Sequence, residues 1–343
     1  MNQPYVSVVI ASFNSESRIG RCIFGLQQQS YDSGHIEIIV VDDGSTDSTA
    51  NQALSLGAHV ISLPRNMGRS AARNAGWRLA KGKLILFTDD DCVPAIDWVE
   101  RIVAQFSPGV IAVGGRILAE NTNTIGERYL EAMGYGNPAP LSFGASINPL
   151  RRFLVYISSM LKPLGNQAKP TPVQAIFTAN AAYRRNILSE LNGFDTSLLT
   201  SEDTDLATRA RTMYPEDHII YDPAAIVSHA HQPSFWRFAY ETYRRGPNTL
   251  NYYKKEGKFP PIYPFPVIIA TILGVSLVYT LWFNVVAVLL SPLLFYPWWI
   301  VRAIRERNGG VIVFGYCQFL CESAEVIGLA RGAFAPLKPT EMS

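Results

Sequence analysis

Three consecutive aspartates, Asp89-Asp90-Asp91, close the apolar run Leu84-Ile85-Leu86-Phe87-Thr88. Adjacent carboxylates repel and raise one another's pKa. A bound divalent cation removes that penalty and can in turn hold a diphosphate. If strand geometry continues, Asp89 and Asp91 point to the same side, so one can meet ribose or metal while the other binds the ion. Hard oxygen ligands predominate and no Cys/His cluster exists, which favours Mg2+ or Mn2+ over zinc. The competing reading of this segment is a solvated acidic loop.

Four further clusters have chemistry to offer. Asp42-Asp43-Gly44-Ser45-Thr46-Asp47 follows an apolar run, and its carboxylates can accept from a base N–H or from ribose hydroxyls, while Ser45 to Asp47 suit a helix cap. A capped turn explains Gly44 to Asp47 but not two acids ahead of the glycine. Arg69 and Arg73 stand four apart, hence on one helical face near an N-terminus, where they can meet diphosphate or base carbonyls; either alone reads as a surface charge. Ser201-Glu202-Asp203-Thr204-Asp205 precedes a helix and supplies either a general base or acids that simply complement the helix dipole. Val227-Ser228-His229-Ala230-His231 presents two imidazoles on one strand face, and His229 is a candidate metal ligand as well as a candidate structural histidine.

These residues need a frame. Tyr5 to Phe13, Ile36 to Val41, His59 to Leu63, Lys83 to Thr88 and Val110 to Val113 read as strands, with Glu16 to Gln29, Thr49 to Gly57, Gly68 to Lys81 and Ile96 to Phe106 as helices. That alternation predicts an α/β fold with a mostly parallel sheet covered by helices on both faces. Ligands of such sheets bind at the carboxyl ends of the strands, where Asn14, Asp42-Asp43 and Asp89 to Asp91 all fall. Ile219 to Tyr221 and Ile226-Val227 read as further short strands.

A chain of 343 residues, 48% hydrophobic, has room for one large domain and an appendage. Its net charge of +2 gives no reason to expect nucleic-acid binding. Cys22, Cys92, Cys317 and Cys321 read as reduced, packing thiols. The start of the chain shows no basic, then apolar, export signal. Glu120 to Pro172 is rich in Asn, Gly and Pro, and Arg151-Arg152-Phe153-Leu154-Val155-Tyr156 reads either as a basic amphipathic helix or as an ordinary packed one. Pro264 to Val301 holds no charged residue across 38 positions, about 57 Å if helical against a hydrocarbon core of about 30 Å. Two spans, Phe265 to Phe283 and Val285 to Val301, fit as a transmembrane hairpin. The basic flanks Lys254, Lys255, Lys258 and Arg302, Arg305, Arg307 place both ends, and the catalytic domain, in the cytosol. A buried soluble hairpin is the alternative. Val311 to Ala335 reads as an amphipathic helix or a third span. The implied organisation is 1–250 for the globular domain, 251–310 for a multi-pass anchor with basic flanks in the cell membrane, and 311–343 for the last helix and tail.

Taken together the chain resembles the family 2 glycosyltransferases of GT-A fold. The likeness is carried by Val8-Val9-Ile10-Ala11-Ser12-Phe13-Asn14, Val40-Val41-Asp42-Asp43-Gly44-Ser45-Thr46-Asp47, Asn66-Met67-Gly68-Arg69 with Ala72-Arg73-Asn74, Asp89-Asp90-Asp91, Gly193-Phe194-Asp195 and Glu202-Asp203. It implies that Phe13, Glu16 and Asp43 border the base, with Ala11 and Asp90 on the same nucleotide-sugar side. It further implies that Asp89 meets ribose, that Asp91 holds the metal with Asp89 and His229 as partners, and that Asp203 beside Glu202 is the base. Tyr240-Glu241-Thr242-Tyr243-Arg244-Arg245-Gly246 resembles a divergent QxxRW element without its Gln and Trp, which favours single-sugar transfer over polymerisation. The implied reaction is an inverting displacement with Arg244 or Arg245 near the departing diphosphate. The implied donor is a nucleoside-diphosphate sugar, UDP before GDP or dTDP, and the acceptor a lipid-linked or membrane-proximal hydroxyl or phosphate of the cell envelope or an exopolysaccharide. A nucleotidyltransferase and a catalytically silent membrane scaffold are the rival classes.

Overall fold

Runs of Val and Ile, buried on both sides, form the central strands of the computed structural model. It describes residues 5–136, 169–230, 234–258 and 290–334, with positions 138, 154, 260, 263, 265, 266 and 268. The first half alternates as expected: β1 (Val6–Ser12), α1 (Ile19–Gln27), β2 (Ile36–Asp42), α2 (Thr49–Ser55), β3 (His59–Ser62), α3 (Arg69–Leu79), β4 (Leu84–Asp89), β5 (Cys92–Pro94), α4 (Trp98–Ala104) and β6 (Val110–Ala119). Then come α5 (Ile125–Met133), β7 (Thr171–Val173), β8 (Asn180–Arg184), α6 (Arg185–Glu190), α7 (Glu202–Met213) and β9 (His218–His229). The expected Ile219 to Tyr221 and Ile226-Val227 strands are parts of the single β9, which is irregular where it passes Gly115 and Arg116 of β6.

The sheet is mixed, not mostly parallel. Its order is β3-β2-β1-β4-β8-β6-β9-β5, with β7 also paired to β9. β1, β2, β3 and β4 are mutually parallel, but β8 enters antiparallel between β4 and β6, and β5 and β7 run antiparallel to β9. The physical reason is connection length: a strand pairing its neighbour in parallel needs a helical crossover, whereas β8 returns after a long excursion and so can pair in either sense. One apolar layer lies under α1, α2 and α4 with Trp98 fully buried, and the other joins α3, α6 and α7 to the sheet through Phe87, Tyr183, Phe194 and Leu206.

α5 lies in the stretch expected to be irregular, although its start is marked. Thr124 accepts from the Glu127 amide at 3.2 Å while Glu127 accepts from the Thr124 amide at 2.8 Å, a reciprocal capping box. It packs with the C-terminal helices α8 (Phe235–Lys255), α9 (Pro297–Arg305) and α10 (Phe314–Phe334). A third apolar cluster joins α5 and α8 to these last helices through Tyr129, Leu130, Ala239, Tyr296, Trp299 and Cys321. The helical stretch Gly309–Phe334 is long and apolar enough to cross a membrane by length and composition. Most of the expected hairpin, the segment 151–156 apart from Leu154, and His231 lie outside the described residues.

Three of the six basic residues expected to mark the cytosolic side, Lys255, Lys258 and Arg302, are engaged in ion pairs within the protein. Lys255 holds both Asp195 and Asp205, Lys258 pairs Glu256 at 3.0 Å, and Arg302 pairs Glu306 at 2.6 Å. α8 and α10 cross at Gly246 and Gly328, where a Cβ on Gly328 would stand 2.3 Å from the Tyr243 carbonyl oxygen and one on Gly246 would stand 2.6 Å from the Gly328 Cα. Those are backbone atoms and cannot step aside. Gly328→Val is therefore expected to force the helices apart and lower stability by about 1–3 kcal/mol, read as a fall in melting temperature, whereas the same change at exposed Gly309 should leave it unmoved.

Candidate active site

The strand ends deliver the acids, but each aspartate of the triple goes to a different partner. Asp89, last residue of β4, accepts from Arg73 Nη2 at 2.9 Å. Asp90 accepts from Ser12 Oγ at 2.8 Å and from Ser15 Oγ, with Arg18 at 3.7 Å. Asp91 meets His229 Nε2 at 3.4 Å, because β5 pairs antiparallel with β9 in a register that sets Cys92 opposite His229.

Arg73 is the hub. Only 2% exposed, it donates one guanidinium nitrogen to Asp89 and another, at 2.8 Å, to buried Glu202. The fork thus ties β4 to the first turn of α7, which sequence reading could not assign because the partners lie 16 and 129 residues away. Burial alone would raise Asp89, but Arg73, helped by Arg69, outweighs it and holds the carboxyl below its usual range. Arg69, half exposed, reaches Glu202 from the solvent side at 3.9 Å.

Beside Glu202 stands Asp203. Ser201, in the left-handed region at φ +64°, turns the chain directly ahead of the pair. Burial, and then the neighbouring Glu202 charge, push Asp203 up to about 7. The segment before it is fixed to α3: Asn74 accepts from the Phe194 amide at 2.9 Å and donates to its carbonyl at 2.8 Å, while Phe194 packs edge-on to Phe87. Buried Tyr183 on β8 is held far above its usual range by desolvation and then by the Asp203 charge.

A cleft of about 690 Å³ opens alongside. Ala11, Phe13, Asp43 and Gly68 line it, as do Tyr240, Arg244 and Arg245 of α8. Asp43 accepts from the Met67 and Gly68 amides at 2.7 and 2.8 Å, so it fastens the loop that opens α3. Gly44 at φ +74° lets that loop close in, since a Cβ there would stand 2.4 Å from the Arg65 carbonyl carbon. Phe13 is 41% exposed and offers a flat apolar face. Glu16 accepts from the Ser48 amide at 3.0 Å and so pins the Asp47 loop. Arg331 of α10 also lines the cleft, a residue the sequence gave no local reason to single out.

The residues fit a divalent cation. Ligand atoms of Asp91, Cys92 and His229 lie within 4.8 Å of one another. Burial pushes the Cys92 thiol well above its usual range, with Asp89 and Asp91 adding to it, so carboxylate and imidazole are the available donors. Burial also raises Asp91 against the pull of His229, and Asp89 and Asp90 add to the rise; a bound cation reverses that penalty. This donor set suits Mn2+ or Mg2+.

Residues 7–191 match the family described as Glycosyl transferase family 2, more than half of the chain, and the protein belongs to that family. It is 34% identical over 134 residues to the glycosyltransferase AglE of Haloferax volcanii, an overlap of 37% of this chain and 44% of that one. It is 27% identical over 236 residues to the pre-mycofactocin glycosyltransferase of Mycobacterium tuberculosis, covering 66% of this chain and 43% of that one. The chain thus spans less than half the length of these relatives. Its fold resembles the mannosyltransferase PcManGT of Pyrobaculum calidifontis, solved with GDP-Man and Mn2+, at a TM-score of 0.61 and 18% identity over 96% of this chain and 88% of that one. It also resembles GalNAc-T7, solved with UDP, GalNAc and Mn2+, at a TM-score of 0.52 and 18% identity over 73% of this chain and 51% of that one.

Proposed function

We propose that the protein is an inverting glycosyltransferase that moves a sugar from a nucleoside-diphosphate sugar to an acceptor hydroxyl at a membrane. The observation that carries this reading is the Asp89–Arg73–Glu202 bridge, which locks the acidic strand end to the helix bearing Asp203 beside a cleft with Asp43 and Phe13 on its wall. Phe13 and the Asp43 loop receive the base. Asp89, ionised by Arg73, accepts from ribose hydroxyls. Asp91 and His229 hold the divalent cation, which supplies positive charge to a diphosphate. Asp203 takes the proton of the acceptor hydroxyl as that oxygen attacks C1, and the nucleoside diphosphate departs from the opposite face. UDP stands before GDP as the donor nucleotide, as the family resemblance implies; of the two structural neighbours, one was solved with GDP-Man and the other with UDP.

Support for the membrane comes from the uncharged stretch 264–301 and from a helix long enough to cross. On this reading 1–250 form the catalytic head, 251–310 the anchor, and 311–343 the last helix and tail. The product would enter an envelope or exopolysaccharide glycan.

The test uses full-length protein in detergent with Mn2+ and a panel of nucleotide sugars. Slow hydrolysis of one of them supports the transferase. Release of pyrophosphate from a nucleoside triphosphate would make the protein a nucleotidyltransferase, and no nucleotide binding would leave a scaffold. Even the outer partners of metal ligands are worth about 10- to 100-fold in affinity. Asp91→Ala is therefore expected to lose at least that much Mn2+-dependent UDP affinity in calorimetric titration, with metal-free UDP binding unchanged.

A further inference from the structure

No local motif pairs a cysteine with a histidine in this chain, yet folding does. β5 runs antiparallel to β9 with Cys92 directly opposite His229, and Asp91 stands one residue before Cys92. His229 Nε2 comes to 3.4 Å from Asp91 Oδ1, and Cys92 Sγ approaches the same oxygen at 3.8 Å. One oxygen, one nitrogen and one sulfur thus lie within 4.8 Å of one another. Asp91 and His229 are partly exposed and open to an incoming ion, while Cys92 forms a buried floor beneath them. A tetrahedral zinc ion, with Zn–O and Zn–N bonds of about 2.0–2.1 Å and a Zn–S bond of about 2.3 Å, sets its ligand atoms about 3.3–3.5 Å apart. The spacings of His229 and Cys92 from Asp91 stand within about 0.5 Å of that geometry.

We infer that Asp91, Cys92 and His229 together bind zinc, with Cys92 as the donor that separates zinc from manganese, and that the zinc form is closed to a nucleoside diphosphate. The first half stands on the three donors alone; the second rests on the glycosyl-transfer reading. Manganese and magnesium favour oxygen and leave a buried thiol protonated, whereas zinc and cadmium bind sulfur strongly enough to displace its proton. As the ion binds, the S–H bond breaks, the sulfur–zinc bond forms and the proton leaves to solvent. Three protein donors leave a tetrahedral ion one open position. A chelating diphosphate needs two adjacent positions, which a six-coordinate ion held only by Asp91 and His229 retains. The same strand pair therefore accepts a hard ion in a form open to the donor and a soft ion in a form that shuts it out.

The test titrates full-length protein in detergent, without nucleotide, with Zn2+ and separately with Mn2+ by calorimetry. Cys92→Ser is expected to weaken Zn2+ by at least about tenfold, since even the outer partners of metal ligands are worth that much. Mn2+ affinity should stay within about twofold. The first equivalent of Cd2+ should give the ultraviolet charge-transfer absorption of a cadmium–thiolate bond in wild type and lose it in Cys92→Ser. Cys22→Ser should keep it, because that thiol faces the Asp89 carbonyl instead. Zn2+ and Mn2+ weakened equally, or Zn2+ not weakened at all, overturns the zinc site, as does a cadmium band undiminished in Cys92→Ser. Cys92→Ala repeats the measurement should a buried serine hydroxyl unsettle the strand, with melting temperature as the check. Zn2+ is further expected to suppress Mn2+-dependent UDP binding, at concentrations at least about tenfold higher in Cys92→Ser than in wild type. Zn2+ that supports UDP binding as well as Mn2+ does overturns the closed form. Wild-type protein that binds no UDP with either ion sinks the transferase reading and the closed form with it, while the metal titrations still decide the zinc site.

Discussion

Asp203→Asn is expected to keep Mn2+-dependent donor binding and to lose about 10²- to 10⁴-fold in transfer, the usual worth of a positioned general base. The wild-type rate should climb with pH through about 7, where burial and Glu202 place this carboxyl. The same elevation has a consequence for stability. A carboxyl whose pKa is higher folded than unfolded stabilises the fold fully below its unfolded pKa of about 4, and that contribution is lost as pH rises through about 7. Asparagine stays neutral throughout. The variant should therefore melt higher than wild type at pH 8 and show little difference at pH 4, even though its activity has collapsed. Transfer at the wild-type rate in Asp203→Asn would take this residue out of the base role.

Arg73→Met should have the largest effect on the fold. The substitution keeps the length of the side chain but leaves Asp89 and Glu202 without the guanidinium that bridges them at 2.9 and 2.8 Å. Breaking a buried ion pair from one side costs about 3–5 kcal/mol, which for a domain of this size is a fall in melting temperature on the order of 10 °C. The deficit should shrink as pH falls, because protonating the two stranded acids removes their charge. Arg73→Lys should recover only part, since one ammonium cannot present a two-pronged fork to both. Melting curves at pH 5 and pH 8 would check all three, and a methionine variant as stable as wild type would show that the bridge contributes nothing.

Local signals were legible in the sequence where they sufficed. The Val/Ile runs locate β1, β2, β3 and β4 to within a residue or two, and the acids at the ends of β2 and β4 stand out by their position after those runs. What stayed hidden depended on distance. β8 has the unremarkable sequence Asn-Ala-Ala-Tyr-Arg, and only its neighbours make it the strand that reverses the sheet. The triplet gives separate roles to Asp89 and Asp91 as ribose and metal ligands, but not the protein partners that the turn after β4 hands to each aspartate: Arg73, Ser12 and His229. Arg73 was expected to meet the nucleotide, and nothing in Ala-Ala-Arg-Asn-Ala says that Glu202 will fold onto it. The Thr124–Glu127 cap is a local signal, set in an irregular stretch rich in Asn and Gly where no apolar periodicity supports it.

The glycine crossing of α8 and α10 bears on how this protein can be handled and how its last described helix can evolve. A helix that served purely as a tether could be trimmed without disturbing the fold it tethers. Here removing residues beyond 313 would strip Gly328 from its seat on Gly246 and take Arg331 out of the cleft in one stroke. Head and tail are one machine part, so inheritance by domain shuffling would have to carry both together.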